Sequence, residues 1–276
     1  MRNVRFLLAA ALLLTFTSCI EIELSKSGRN LGKVVVTGTY SEDGGSYMSM
    51  KLVDSFNSIN FAGPFSVYYF QSDTSMVVIK GEQEFVDCMI TEVSDNTLNI
   101  RLKDGKYHNL VVGVAVYGPS LESVSLTGSG KFADTDGHKS GSSLSYRLSG
   151  SGRIIVEDVG CGGFTGKITG SGSISLDGIK CSGFEVSTTG SGDFSADDVN
   201  ASGNVSLSST GSGGISIDDI NASGDVSIRT TGSGSIKING KCRNVDAKTT
   251  GSGSITGNLQ YESISKSKTG SGSVRL

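Results

Sequence analysis

Residues 170–190 read GSGSISLDGIKCSGFEVSTTG and contain one complete unit of a repeat. The unit begins with Gly-Ser-Gly, runs through a strand in which Ile174 and Leu176 alternate with serines, turns at an Asp-Gly pair, and returns through a second strand around Phe184 and Val186. A period of two places the aliphatic side chains on one face of a strand. The stretch therefore predicts two short β-strands joined by a corner.

The same tripeptide occurs eight times, at intervals of 19 to 22 residues. Its copies begin at Gly128, Gly150, Gly170, Gly190, Gly211, Gly232, Gly251 and Gly270. A fixed period of this length is typical of a solenoid, in which each coil buries its apolar face by stacking on its neighbours. We expect the glycines to form corners, with positive φ or with stacked backbones too close for a β-carbon. A phosphate-binding loop is the functional alternative, but it needs a following helix and usually a lysine, neither of which recurs.

The repeat predicts an all-β protein, a parallel, right-handed β-helix with coils of about 20 residues and a more irregular β part at its N-terminal end. A β-sandwich of hairpins is the alternative, but it does not require the same residue at the same phase of every unit. We divide the chain into a lipoprotein signal peptide (1–18), a lipidated N-terminus and tether (19–33), an N-terminal β part (34–121) and the repeat β-helix (122–276).

The first nineteen residues have the features of a bacterial lipoprotein signal peptide. Arg2 and Arg5 precede an apolar stretch at 6–16, and small residues then lead to Cys19. The apolar stretch is shorter than the roughly twenty residues that span a bilayer. We expect lipid on Cys19 to anchor the protein to the outer membrane in the cell envelope, on either the periplasmic or the external side. An ordinary signal peptide is the alternative, because Phe16 replaces the usual leucine.

Composition excludes several classes of function. The formal net charge is −3 and the pI is near 5.5, which gives no basic surface for nucleic acid. The two histidines, His108 and His138, are thirty residues apart, which leaves little room for a histidine-dependent triad or a multi-histidine zinc site.

The strongest candidate for a functional site is a column of acidic residues. It consists of Glu157, Asp177, Asp197 and Asp218 at one phase of the repeat, with Asp158, Asp198 and Asp219 beside them. Stacking would place unit charges about 4.8 Å apart, where they repel by roughly 1 kcal/mol in water. The carboxylates must then be solvated, bonded to turn amides or bridged by cations, and Asp is also a favoured turn residue. The candidate calcium ligands are Asp177, Asp197, Asp198, Asp218 and Asp219, and no other cofactor is expected.

The cysteines follow the repeat as well. Cys161, Cys181 and Cys242 share a phase with Ala201 and Ala222, which indicates a tight interior position where cysteine acts as a small hydrophobic residue. A disulfide between Cys161 and Cys181 is an alternative, since neighbouring coils would bring the two residues within bonding range. Metal binding is disfavoured because paired Cys-x-x-Cys spacing is missing.

A set of motifs occurs in fixed order between residues 53 and 276. They are FNSINF at 56–61, GPFSV at 63–67, NTLNI at 96–100, GPSLE at 118–122 and the repeated Gly-Ser-Gly. In this order and spacing they resemble the bacterial auto-transporter adhesin family with the head GIN domain. The resemblance implies a β-helical extracytoplasmic domain, with adhesion as a family name rather than a demonstrated activity, and it carries over no catalytic residues.

The sequence therefore predicts a non-enzymatic, lipid-anchored β-helix of the cell envelope that serves in adhesion or binds a glycan or a protein. A carbohydrate-active lyase or hydrolase on the same scaffold is one alternative, although the acidic column has no cationic partner at a matching phase. A purely structural envelope component is the other.

Overall fold

The computed structural model describes residues 17–26, 29–39, 47–108, 110 and 112–276. The chain divides into two compact units, Met1–Ser46 and Tyr47–Leu276. In the first unit, strands β1 (Thr17–Lys26) and β2 (Arg29–Thr39) pair antiparallel. Most of the predicted signal peptide, residues 1–16, lies outside the described residues. The lipidation of Cys19 and the tether at 19–33 stay predictions.

The second unit begins with an irregular β part. Its elements are β3 (Tyr47–Leu52), β4 (Ser58–Ala62), β5 (Ser66–Gln71), β6 (Met76–Gly81), α1 (Gln83–Val86), β7 (Met89–Ser94), β8 (Thr97–Leu102) and β9 (Val112–Gly118). Strands β7 and β8 form a hairpin whose tight turn places Asp95 and Asn96 at φ of 48° and 58°. Such left-handed turns match the twist of the strands that they join, and Asn and Asp tolerate them better than most residues.

The repeats supply the remaining strands. They are β10 (Ser123–Gly128), β11 (Lys131–Asp134), β12 (His138–Lys139), β13 (Leu144–Gly150), β14 (Arg153–Val156), β15 (Val159–Gly160), β16 (Phe164–Gly170), β17 (Ser173–Cys181), β18 (Phe184–Gly190), β19 (Asp193–Ala201), β20 (Val205–Gly211), β21 (Gly214–Ala222), β22 (Val226–Gly232), β23 (Ser235–Lys241), β24 (Asn244–Gly251), β25 (Ser254–Thr256), β26 (Leu259–Gln260), β27 (Ser263–Thr269) and β28 (Ser273–Arg275).

Each coil contributes strands to both of two sheets. The 11-stranded sheet has the order β27-β24-β22-β20-β18-β16-β13-β10-β4-β8-β7. The 15-stranded sheet has the order β28-β25-β23-β21-β19-β17-β14-β11-β5-β9-β6-β3, with β12, β15 and β26 attached at its side. The repeat strands pair in parallel, and equivalent residues stack in register, as Gly150, Gly170 and Gly190 do. The predicted parallel β-helix is confirmed, with about seven turns of about 21 residues.

The interior of the solenoid is a single continuous apolar core. Aliphatic residues at alternate strand positions point inward, as Ile174 and Leu176 of β17 do. Aromatic rings also stack in the interior, where Phe164 lies on Phe184 with 5.1 Å between ring centroids. Both residues are buried.

The glycines of Gly-Ser-Gly form the predicted corners. The first glycine of every copy has positive φ, between 102° and 122°. The third lies against the coil before it: a β-carbon on Gly172 would be 2.5 Å from the carbonyl oxygen of Gly152. Both reasons expected for glycine therefore apply, at different positions of the tripeptide.

The two ends of the solenoid differ. At the N-terminal end, antiparallel strands β3, β6 and β7 close the sheets, in agreement with the irregular β part predicted there. At the other end, Lys266 and Lys268 of β27 stand opposite Ala247 and Thr249, both of which point into the core. Inward-pointing charges on an edge strand oppose the addition of another strand. Among the described residues, no helix is long and apolar enough to cross a membrane.

Candidate functional site

The fold assembles the acidic column that the sequence predicted. Asp198 and Asp219 are register partners in β19 and β21, and the aspartates of the column are exposed. Desolvation, and then the charges of Asp177 and Asp218, raise the pKa of the Asp197 carboxyl. The column is therefore a set of mutually repelling carboxylates. No three His, Cys, Asp or Glu residues of the described chain are grouped so as to hold a metal ion, and calcium binding stays a prediction.

The cysteine column is buried at Cys181 and half-buried at Cys161 and Cys242, which pack against the edge of the core. Cys181 and Ala201 are buried register partners, and Ala201 pairs in turn with Ala222. All four described cysteines are free, so the possible bond between Cys161 and Cys181 is not formed. Burial raises the pKa of Cys161 to about 11 and that of Cys181 to about 12. Because the thiolate is the reactive form, these thiols are inert near neutral pH.

A buried acid–histidine pair is the feature that the sequence reasoning missed. His138 Nδ1 bonds to Asp134 Oδ2, and both side chains are buried. In the next coil, Val156 is stacked on Asp134 and Val159 is stacked on His138. The signal was available: this coil has the longest interval, 22 residues, and carries Asp and His where the next four coils carry aliphatic residues.

The pair anchors a short polar loop to the core. Gly137 has φ of 66°, and a β-carbon there would collide with the carbonyl of Asp158. The amide of His138 donates to that same carbonyl at 3.2 Å. The Tyr69 ring contacts the imidazole edge-on at 5.6 Å between centroids, and its hydroxyl donates to the carbonyl of Gly118. The loop is therefore fixed by the buried Asp134–His138 pair on its inner side and by the Asp158 carbonyl of the next coil.

Beside this loop lies a groove of about 510 Å³. Gly160 stands between Lys139 and Lys180 in one outward row of stacked residues. Gly178 is the register partner of Asp198, and the Asp158 carboxylate occupies the space that a side chain at Gly178 would need. The groove is thus lined by ammonium and carboxylate groups of adjacent coils. Within the described part of the chain, no ion pair joins these lysines to these carboxylates.

The opposite sheet presents a different surface, which we call the hydroxyl face. It comprises the outward side chains of β10, β13, β16, β18, β20, β22, β24 and β27, which form three rows along the solenoid. In the row nearest the glycine corner, Thr169 is the register partner of Thr189, and Thr189 is the register partner of Thr210. The whole row is Thr127, Ser149, Thr169, Thr189, Thr210, Thr231, Thr250 and Thr269.

The other two rows of the hydroxyl face are also polar. They are serines and threonines apart from six charged residues, which are Arg147, Lys167, Glu185, Arg229, Asp246 and Lys248. Arg229 pairs with Asp246 at 3.0 Å, in an exposed ion pair. All of these outward positions are exposed or partly exposed, and none is aliphatic or aromatic. The face therefore offers an ordered array of hydrogen-bonding groups without aliphatic or aromatic residues.

Solved structures share this fold. A protein from Parabacteroides distasonis described as a putative lipid binding protein superposes with a TM-score of 0.73 at 24% identity, covering 84% of this chain and 97% of its own. A putative adhesin from Parabacteroides merdae gives a TM-score of 0.71 at 20% identity, with 85% and 97% covered. A putative adhesin from Bacteroides fragilis gives 0.62 at 22%, with 84% and 96% covered.

A comparison with curated proteins gave no match. The model of the family described as "Putative auto-transporter adhesin, head GIN domain" matches residues 55–222 and 184–276. These two matches cover most of the chain and include the motifs on which the resemblance rested. The chain belongs to this head GIN domain family.

Proposed function

We propose that this protein is a non-enzymatic, lipid-anchored adhesin of the cell envelope whose hydroxyl face binds glycan. The observation that carries the proposal is the uninterrupted row of hydroxyl side chains from Thr127 to Thr269, repeated coil by coil. Parallel strands lie about 4.8 Å apart. The row is therefore a regular line of groups, each of which can both donate and accept a hydrogen bond.

The composition of the face favours a glycan over a protein ligand. Protein interfaces depend on a few buried aromatic or arginine anchors in apolar surroundings. The hydroxyl face has no aromatic side chain, and of its two arginines, Arg147 and Arg229, the second is paired with Asp246. A glycan instead presents hydroxyls that exchange hydrogen bonds with serine and threonine. An extended glycan could contact several coils at once, and weak contacts would then add along its length.

The envelope location rests on the N-terminal segment and the family. Arg2, Arg5 and the apolar stretch before Cys19 form the lipoprotein-like start. The names of the family and of the structural relatives refer to adhesion or lipid binding and not to enzymes. Replacing Cys19 with Ala should release the protein from the membrane fraction. A variant that stays membrane-bound would refute the anchor.

The binding proposal is tested with a matched pair of variants on a glycan array. Thr169→Lys with Thr210→Lys places two long side chains on the hydroxyl face, and we expect glycan binding to fall at least tenfold. The control, Ser175→Lys with Ser216→Lys, makes the same change on the outer side of the 15-stranded sheet and should bind like the wild type. Equal loss in both variants, or no glycan bound by the wild type, would refute the proposal.

A further inference from the structure

The outer side of the 15-stranded sheet changes in character toward its N-terminal end. In the later coils, one outward row of register partners consists of the serines Ser175, Ser195 and Ser216. In the six neighbouring strands β14-β11-β5-β9-β6-β3, the same row continues with apolar and aromatic residues. They are Ile155, Ala133, Tyr68, Ala115, Val78 and Met50. At the usual strand spacing this apolar row is about 24 Å long.

The apolar row points away from the core. Strand residues alternate between the two sides of a sheet, and the residues on either side of Tyr68 in the sequence, Val67 and Tyr69, are both 0% exposed. Apart from Ala133, which is buried, the six residues of the row are half-buried. We call the outward side of these six strands the apolar face. A contiguous apolar surface on the outside of a domain marks a site of interaction.

A second outward row on the apolar face is also apolar and aromatic. It consists of Leu52, Met76, Tyr117 and Phe70, which are register partners across β3, β6, β9 and β5. Met76 and Tyr117 are buried, whereas Leu52 and Phe70 are half-buried. The rings of Phe70 and Tyr117 stack with 5.2 Å between their centroids. The apolar face is therefore two side chains wide along its strands, and one of its borders is a stacked aromatic pair.

The row along the other border of the apolar face carries positive charge. It contains Lys80, Gly113, Ser66, Lys131 and Arg153, in register from β6 to β14. Lys131 Nζ lies 5.7 Å from the centroid of the Tyr68 ring, so the basic row is in contact with the apolar row. Among the outward side chains of the six strands, all of which the structure describes, none is a carboxylate. The apolar face thus combines apolar side chains with charge of one sign.

We propose that the apolar face docks on a membrane surface that contains anionic lipid. Aromatic side chains such as Tyr68 and Phe70 suit the boundary between headgroups and acyl chains, where tyrosine is enriched in membrane proteins. Cations such as Lys131 and Arg153 are attracted to negatively charged headgroups. The apolar face presents both kinds of side chain next to each other, as contact with a lipid surface requires.

The docking proposal rests on the lipid anchor that we propose at Cys19. Tyr47, the first residue of β3, lies 28 residues after Cys19, and β3 is the last strand of the sheet at this end. The chain from the anchor therefore enters the second unit on an edge strand of the apolar face. Anchoring keeps the apolar face at a high effective concentration near lipid, so that individually weak contacts are sufficient for docking.

A second copy of the chain is the competing occupant. A two-fold interface brings the same surface of both copies together, and the apolar face offers no carboxylate to the cations of another copy. A different protein would have to supply an apolar and an acidic surface together. A membrane with anionic headgroups supplies both, and the anchor places it within reach. Charge complementarity therefore favours lipid over a second copy.

A tryptophan reporter tests the docking proposal, because the chain contains no tryptophan of its own. Tyr68→Trp places the reporter on the apolar face, and the control Ser216→Trp places it in the same outward row of a later coil. The lipidated full chain is reconstituted in vesicles of phosphatidylcholine and phosphatidylglycerol with brominated acyl chains. We expect the emission of Tyr68→Trp to shift to shorter wavelength and to be quenched by bromine, and that of Ser216→Trp to show neither effect. Phe70→Trp is the second reporter if Tyr68→Trp does not fold.

Flotation of the vesicles separates a failure of docking from a failure of the anchor. Protein that floats with the vesicles while its Tyr68→Trp reporter is not quenched would refute docking and leave the anchor intact. A shift without quenching that grows with protein concentration would also refute docking, in favour of a second copy. If the protein does not float, the anchor is refuted. Quenching of the same reporter by an excess of vesicles in solution would then support docking, and its absence would overturn it.

The basic row provides an independent readout. In the Tyr68→Trp background, Arg153→Gln removes one cation beside the apolar row, and the ratio of docked to undocked protein should fall about fivefold. The control Arg275→Gln removes an arginine from the outward side of the same sheet at its other end and should leave the ratio unchanged. An equal effect of the two changes, or no effect of Arg153→Gln, would contradict the binding of anionic lipid by the apolar face.

Discussion

Gly192 lies so close to Gly172 in the coil before it that a β-carbon on Gly192 would be 2.6 Å from the Gly172 carbonyl oxygen. The clash would be with backbone, so relief requires two coils to move apart. We therefore expect Gly192→Ala to lower the free energy of unfolding by about 1–3 kcal/mol, as overpacking does. Denaturant titration measures the change.

Gly183→Ala is the matched control. A β-carbon on Gly183 would meet nothing nearer than the Asn204 carbonyl oxygen at 3.8 Å, and Gly183 is not among the glycines with positive φ. Its effect should stay within about 0.5 kcal/mol. Equal destabilisation by both substitutions would mean that the close approach of coils does not explain the tripeptide.

The buried hydroxyls beside the corners predict opposite effects at two positions. Thr188 Oγ1 is buried with no hydrogen-bond partner among the residues that the structure describes, so Thr188→Val should raise the free energy of unfolding by about 1 kcal/mol. Thr249 Oγ1 bonds to the Gly253 carbonyl at 3.2 Å and to Thr230 Oγ1 at 2.8 Å, so Thr249→Val should lower it by a similar amount. Denaturation of both variants under one set of conditions checks the signs. A loss of stability in Thr188→Val would contradict this account.

The inward lysines of β27 predict how the solenoid end behaves. A further coil stacked there would bury the ammonium groups of Lys266 and Lys268 in columns that end at Ala247 and Thr249. Lys266→Ala with Lys268→Val removes that obstacle and should produce concentration-dependent association, measured by light scattering. The outward change Lys248→Ser is the control and should stay like the wild type. Equal association of all three proteins would refute a protective role for the inward lysines.

The fold was predictable from the sequence because the repeat itself is the structural unit. The phase of Gly170, of the aliphatic residues and of the cysteine and alanine column each corresponds to a stacked position. The Asp134–His138 pair was not predictable in the same way, because its coil departs from the repeat. Alignment on Gly-Ser-Gly shows what coils share, and only three-dimensional contacts show why one coil differs.

The hydroxyl face was also missed as a specific surface. The sequence shows pairs of Ser and Thr before four of the eight Gly-Ser-Gly copies, such as Thr188-Thr189, but not that one member points in and the other out. The structure places Thr188 in the core and Thr189 on the surface. A period of two implies this alternation, yet it takes the register of all coils to turn the outward member into a continuous row.

The acidic column makes stability depend on pH. The raised pKa of Asp197 means that the folded state binds its proton more tightly than the unfolded state. Ionisation therefore destabilises the fold as pH rises through that pKa. Asp197→Asn should raise the melting temperature at pH 7 in EDTA and leave it unchanged below about pH 3, under the carboxyl's unfolded pKa. Glu185→Gln, on the hydroxyl face, is the control. An increase at both pH values would contradict the electrostatic origin.

Calcium binding by the acidic column is tested separately. If the cation bridges Asp177, Asp197, Asp198, Asp218 and Asp219, millimolar calcium should raise the melting temperature of EDTA-treated protein, since a ligand that binds only the native state stabilises it. Asp197→Asn with Asp218→Asn should weaken that increase. An unchanged wild-type melting temperature on adding calcium would remove the calcium hypothesis and leave the aspartates as solvated turn residues.

The central claim is that the hydroxyl face is the binding surface, and a crystal structure with the tightest-binding glycan from the array tests it most directly. We predict that the glycan lies along the threonine row and bonds to Thr169, Thr189 and Thr210 from three consecutive coils. A glycan bound instead in the groove between Lys139 and Asp198 would contradict the claim. Turnover of that glycan in the crystal or in solution would contradict the non-enzymatic function as well.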